Sequence, residues 1–123
     1  EQVTADRLRR GERIPGFGHS LYPDGDPRAK ALLALTAETY PGTAETRFVL
    51  ACAEQVESMI GQGANIDLAL AGLTRIAGLP AGSPLGLFAL GRTVGWIGHA
   101  IEQYGSGALI RPRARYTGTP PGD

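Results

Sequence analysis

Thr43-Ala44-Glu45-Thr46-Arg47-Phe48-Val49-Leu50-Ala51-Cys52-Ala53-Glu54-Gln55-Val56-Glu57-Ser58-Met59-Ile60-Gly61 has the pattern of one amphipathic helix between a cap and a stop. Phe48, Val49, Cys52, Val56, Met59 and Ile60 recur at three- and four-residue spacing, the period of one helix face. Thr43 can cap this helix, and Gly61 and Gly63 end it. Upstream, residues 27–39 open with Asp26 as N-cap and Pro27 at the first helical position, where its missing N–H removes no bond. Pro41-Gly42 closes that segment. Downstream, a helix over about 66–77 carries Leu70, Leu73, Ile76 and Ala77 and stops at Gly78-Leu79-Pro80. A further helix runs from near Ser83-Pro84 to about Tyr104. Its Leu85, Phe88, Leu90, Val94, Ile97 and Ile101 form a broad apolar stripe with few charges, which predicts a place deep in a core. No stretch sustains strand alternation, so the fold class is all-α.

Two segments fall outside the helical pattern. Residues 13–25 form a Gly/Pro-rich loop that still contains Ile14, Phe17, Leu21 and Tyr22, and a loop with that apolar content is packed down and often functional. The tail from Gly105 to Asp123 is rich in Arg, Pro and Gly and is expected to run over a surface or onto a partner.

The 123 residues suit one compact domain or one piece of a larger protein. Twelve basic and twelve acidic side chains cancel, so no net field favours nucleic acid or an anionic membrane surface. No apolar run is long enough to cross a bilayer. The N-terminus carries no targeting pattern, which leaves the cytoplasm as the default location. It lacks an initiator Met and runs straight into a polar helical stretch, the pattern of a piece cut from a longer chain. The single cysteine, Cys52, lies in an apolar helical pattern, where a small buried hydrophobe is a better reading than a nucleophile.

Chemistry concentrates in a few polar side chains. His19 ends Gly16-Phe17-Gly18-His19, whose glycines let the backbone turn tightly and approach a ligand. A lone loop histidine is also compatible with a structural or solvated role. Asp67 sits at the start of a helix, where the helix dipole alone would favour an acidic residue, so a catalytic carboxylate is the sharper of two readings. Arg92 is the only Asp, Glu, Lys or Arg between Ser83 and Glu102, and a lone guanidinium on an apolar helix calls for an anionic partner such as a bound carboxylate. His99 has no second ligand at helical spacing to make a metal site. Arg28 and the tail's Arg111, Arg113 and Arg115 add cations, but without interleaved aromatic residues they make a poor nucleic-acid surface. Together these groups suggest a small-anion site built from arginines, with a His and an Asp available for proton transfer.

The order of the motifs carries more than any one of them. Ile14-Pro15-Gly16-Phe17-Gly18-His19, Asp26-Pro27-Arg28, Asn65-Ile66-Asp67, Gly91-Arg92-Thr93-Val94-Gly95-Trp96-Ile97-Gly98-His99, Ile110-Arg111-Pro112-Arg113 and Tyr116-Thr117-Gly118 resemble the citrate synthase family in sequence order, over nearly the whole chain. The resemblance implies the C-terminal third or so of that fold. Residues 1–82 would be part of the small, substrate-closing domain, and 83–123 the C-terminal helix and tail of the large one. It implies that His19 polarises the oxaloacetate carbonyl, that Arg28 and Arg92 clamp its carboxylates, and that Asp67 removes a methyl proton from acetyl-CoA. It further implies that Asn65 meets CoA and that Arg111 reaches a neighbouring site in a homodimer. Acetyl-CoA enters as substrate, with no metal and no other cofactor. The family's second catalytic histidine lies upstream of the residues present here, so the chain alone is expected to be inactive. Two departures stand out: Pro23 replaces a frequent basic residue, and Leu70-Ala71 replaces a frequent Ser-Gly. They leave room for a methylcitrate synthase, a citryl-CoA lyase, or a regulatory relative that senses a dicarboxylate or acyl-CoA without turnover.

Overall fold

A computed structural model describes residues 2–109, 111, 117 and 118. Five helices follow one another: α1 (Gln2–Arg9), α2 (Pro27–Thr39), α3 (Ala44–Ile60), α4 (Ile66–Ile76) and α5 (Ser83–Ser106). Among the described residues the extended pairing is one antiparallel bridge, between Phe17 and Ala64.

The helix starts follow from local chemistry. Asp26 accepts the N–H of Arg28 at 3.0 Å, with Pro27 leading α2. Thr43 Oγ1 accepts the N–H of Thr46 at 3.1 Å, while the Thr46 hydroxyl donates to the Tyr40 carbonyl at 2.8 Å. The turn between α2 and α3 is thereby closed by two threonines of the α3 start, one of which reaches back to the backbone carbonyl that ends α2. Gly61 ends α3 in the left-handed region at φ +68°. Asn65 caps α4, its Oδ1 accepting from Asp67 N at 3.0 Å and Leu68 N at 3.4 Å.

The chain falls into two compact units, Glu1–Gly91 and Arg92–Asp123. In the first, α2, α3 and α4 pack on one another around Ala29, Val49, Ala53, Val56, Ala69 and Leu70. Small residues set the helix spacing. A Cβ added at Gly72 would stand 2.7 Å from Val49 Cγ1, so α3 and α4 meet as closely as they do only because that position is glycine. Cys52 is half-buried on α3.

α5 departs from expectation. No residue of the helix is buried, and Leu90 at 71% and Val94 at 74% exposure lie open, as do Ile97 and Ile101. The periodicity placed the helix correctly, but the cover that such a stripe needs is not supplied by the described residues. The helix is nevertheless not long and apolar enough to cross a membrane.

Candidate functional site

The loop of residues 13–25 is fastened to the segment leading into α4. Gly18 N donates to the Gly63 carbonyl at 2.9 Å, Asn65 N to the Gly16 carbonyl at 2.9 Å, and Asn65 Nδ2 to the Gly18 carbonyl at 3.1 Å. Gly16 and Gly18 both take positive φ, at +86° and +73°. A Cβ at Gly18 would also fall 2.6 Å from the movable end of the Gln62 side chain, so it is the left-handed backbone that requires glycine there. The loop is pinned through its backbone rather than packed down by its apolar side chains: Ile14, Phe17 and Tyr22 are half-buried and Leu21 is exposed, and the loop delivers His19 to the head of α2.

The His19 ring has three close neighbours. Its Nδ1 accepts the Leu21 N–H at 3.1 Å, its ring lies 4.8 Å from that of Tyr22, and its Nε2 stands 3.4 Å from Arg28 Nη2. A ring that accepts at Nδ1 carries the proton of its neutral form on Nε2. Nε2–H and Nη2–H then lie side by side as two donors with no acceptor between them, an arrangement suited to carbonyl and carboxylate oxygens. The Arg28 guanidinium also lies over the Tyr22 ring, 5.3 Å from its centroid.

Beneath this pair lies Asp26, 1% exposed. Its Oδ1 takes Arg28 Nε at 2.9 Å along with the Arg28 backbone N–H, and its Oδ2 takes Arg28 Nη2 at 2.9 Å and Ile66 N at 3.0 Å. The Arg28 side chain, reinforced by these backbone N–H groups, outweighs burial and lowers the Asp26 carboxyl from 3.8 to about 2. The same donation to Asp26 is the leading cause that raises the Arg28 pKa, with smaller charge effects from Asp26, Tyr22 and Asp67.

Asp67 is exposed in the first turn of α4, next to Ile66, and its charge reaches Arg28. His19, Arg28, Asn65 and Asp67, drawn from stretches far apart in sequence, are thus brought to one junction of loop, α2 and α4. A cleft of about 630 Å³ opens beside His19, lined among others by Leu8, Arg13, Ile14, Phe17 and Ile60.

Arg92 and Arg111 belong to the second unit. Arg92 is exposed on α5, with its guanidinium lying over Gly95. His99 is exposed too, its Nδ1 3.3 Å from Glu102 Oε2. Arg111 is exposed, whereas Ile110, Pro112, Arg113, Arg115 and Tyr116 of the tail lie outside the described residues. Among the described residues no cluster of His, Cys, Asp and Glu could hold a metal ion.

Sequence reasoning read Asp26 as a cap only and passed over Tyr22. The signal for Asp26 was present in Asp26-Pro27-Arg28, which puts a carboxylate at a helix start two residues before a guanidinium. Its bond to Ile66 had no local signal.

The family model for the citrate synthase C-terminal domain matches residues 1–113. Curated relatives include the citrate synthase of Haloferax volcanii, 40% identical over 92% of this chain and 31% of that protein. Citrate synthase 2 of Bacillus subtilis strain 168 is 36% identical over 96% of this chain and 32% of that protein. The 2-methylcitrate synthase 1 of Corynebacterium glutamicum is 35% identical over 90% of this chain and 30% of that protein. The chain spans about a third of the length of these relatives. With that coverage of the domain and that level of identity, the chain belongs to the citrate synthase family, through its C-terminal domain.

Proposed function

We propose that the gene product containing this chain condenses acetyl-CoA, or a related acyl-CoA, with oxaloacetate to give citrate and CoA. The observation that carries the reading is the paired donors, His19 Nε2–H beside Arg28 Nη2–H, standing where α2 meets the first turn of α4. In this reading the two donors receive the ketone and a carboxylate of oxaloacetate, and Arg92 receives a second carboxylate. Asp67 takes a proton from the acyl methyl group, leaving an enolate whose carbon attacks the polarised ketone carbon, and the resulting alkoxide takes up a proton. Hydrolysis of the resulting citryl-CoA then releases CoA and citrate. The methyl proton is weakly acidic, so a carboxylate base succeeds only with the developing enolate stabilised in the same closed site. In this reading Asn65 also meets CoA, with a side chain that already caps α4 and braces the Gly18 carbonyl. Arg111 would complete the site of a neighbouring copy in a homodimer, and the cytoplasm remains the default compartment. The 123 residues alone supply no second histidine at the thioester, so the reading gives them no turnover by themselves.

A second reading, a non-catalytic sensor of the dicarboxylate, draws on Pro23 and Leu70-Ala71. Leu70 is buried in the core, so that departure alters packing behind Asp67 more directly than the face that meets a ligand. The readings part on Asp67→Ala in the complete gene product. Catalysis predicts that thiol release is abolished while calorimetric oxaloacetate binding persists. Equal thiol release by mutant and parent removes Asp67 as the base, and a parent that binds oxaloacetate but releases no thiol supports the sensor.

A further inference from the structure

Asp26 takes no part in the chemistry proposed above, yet it is the largest fully buried side chain among the described residues. A buried carboxylate is tolerated only with its oxygens satisfied, and here the donors come from two different helices. We infer that Asp26 is a positioning residue that ties the arginine clamp to the helix bearing the base, so that the two halves of the condensation site hold one geometry. The inference rests on the function proposed above for the roles of Arg28 and Asp67.

The geometry is symmetric in its logic. Each Asp26 oxygen takes one side-chain donor of Arg28 and one backbone N–H, that of Arg28 on Oδ1 and that of Ile66 on Oδ2. The fork fixes the plane of the guanidinium and spends Nε and one Nη2 hydrogen. Nη1 and the remaining Nη2 hydrogen, on the side of His19, are left for a ligand.

At the other end, the first N–H groups of a helix have no partner within it. In α4 those of Asp67 and Leu68 go to the Asn65 side chain, and that of Ala69 goes to the Asn65 carbonyl at 3.2 Å. Ile66 alone reaches outside its own segment, 40 residues back to Asp26. The residue after it is Asp67. Moving the clamp therefore pulls on the turn that aims the base, and the reverse holds equally.

The strap can be cut without touching the clamp. Ile66→Pro removes the N–H that Asp26 accepts and leaves the Arg28 fork intact. Proline suits the first helical position, and Asn65 at φ −104°, ψ 178° already has the extended backbone that a residue before proline requires. Ile66→Ala keeps the N–H and controls for the side chain.

In the complete gene product, measured by thiol release, Ile66→Pro is expected to lower kcat at least tenfold against Ile66→Ala, with the oxaloacetate KM within threefold. Asp26→Asn, which sets an amide donor against donors, should raise the oxaloacetate KM at least tenfold as well. A merely structural role would reduce the active fraction and leave KM alone. Indistinguishable kinetics for the two Ile66 variants, or a folded Asp26→Asn protein with an oxaloacetate KM within twofold of the parent, overturns the inference. If the parent itself releases no thiol, the proposed reaction fails separately and the strap is read without substrate. Arg28→Ala should then speed amide exchange at Ile66, Asp67 and Leu68 at least tenfold, and unchanged exchange there overturns the inference.

Discussion

The head of α4 and the length of α5 lie close in sequence and meet water in opposite ways. At the head of α4, the N–H groups of Ile66, Asp67 and Leu68 and both Asp26 oxygens have partners within the first unit. Along α5 the pattern is reversed, with Leu85, Leu90, Val94, Ile97, Ile101 and Tyr104 all exposed. The first region is built to completion by short-range caps and one bond across 40 residues. The second carries the composition of an interior helix with none of the burial. The lesson is that binding groups can be arranged by a small, self-sufficient junction, while the burial that an apolar helix calls for has to come from surfaces that the junction does not provide.

The largest effect is expected where the completed junction is broken. Asp26→Ala in the complete gene product should cost about 3 kcal/mol, because it unpairs a buried carboxylate's four donors at once. The same contact gives the protein an acid limb. The Asp26 carboxyl is lowered to about 2 in the folded state against 3.8 otherwise, so its contribution is present above about pH 4 and is lost as pH falls through 2. Between those values the unfolded chain binds more protons, and stability rises with pH by an amount on the order of 2 kcal/mol from this group. Chemical denaturation at pH 2, 3 and 5 reads it. Asp26→Ala should flatten that slope, and an unchanged slope would assign it to other carboxylates.

Next in size is the closest helix contact of the same unit. Gly72→Ala places a methyl group 2.7 Å from Val49 Cγ1 and should destabilise by about 2 kcal/mol in urea unfolding. A neutral result would mean that α3 and α4 can separate freely, and that the base helix is less firmly held than the junction implies.

The smallest effect is expected on the open helix, and it sharpens the contrast. In the 123-residue chain, Leu90→Gln and Val94→Gln should each change stability by less than about 0.5 kcal/mol while weakening self-association in sedimentation. In the complete gene product the same changes should cost about 2 kcal/mol each if further chain buries this face. Equal, small costs in both settings would show α5 to be a wet helix despite its composition.

Much of this was legible in the residues. Asp26-Pro27 and Thr43 set the starts of α2 and α3, Gly61 set an end, and α4 and α5 each lie within two residues of the expected bounds. Caps and periodicity are local properties, so a single stretch contains their cause. The environment of α5 was not legible, because a stripe such as Leu90, Val94, Ile97 and Ile101 records that burial is needed and not what provides it. The Asp26–Ile66 bond escaped for a related reason: no local rule links residues so far apart. Nor did the sequence show that Asn65 serves as the cap of α4 and as a strut to the Gly18 carbonyl.

The most direct test of the central claim is an oxaloacetate titration of the complete gene product with 15N-labelled histidine, following His19 by NMR. The neutral form of His19 is expected to carry its proton on Nε2, and its signal to shift on saturation with oxaloacetate in the parent and not in Arg28→Ala. A proton found on Nδ1, or a His19 signal indifferent to oxaloacetate in the parent, would contradict it.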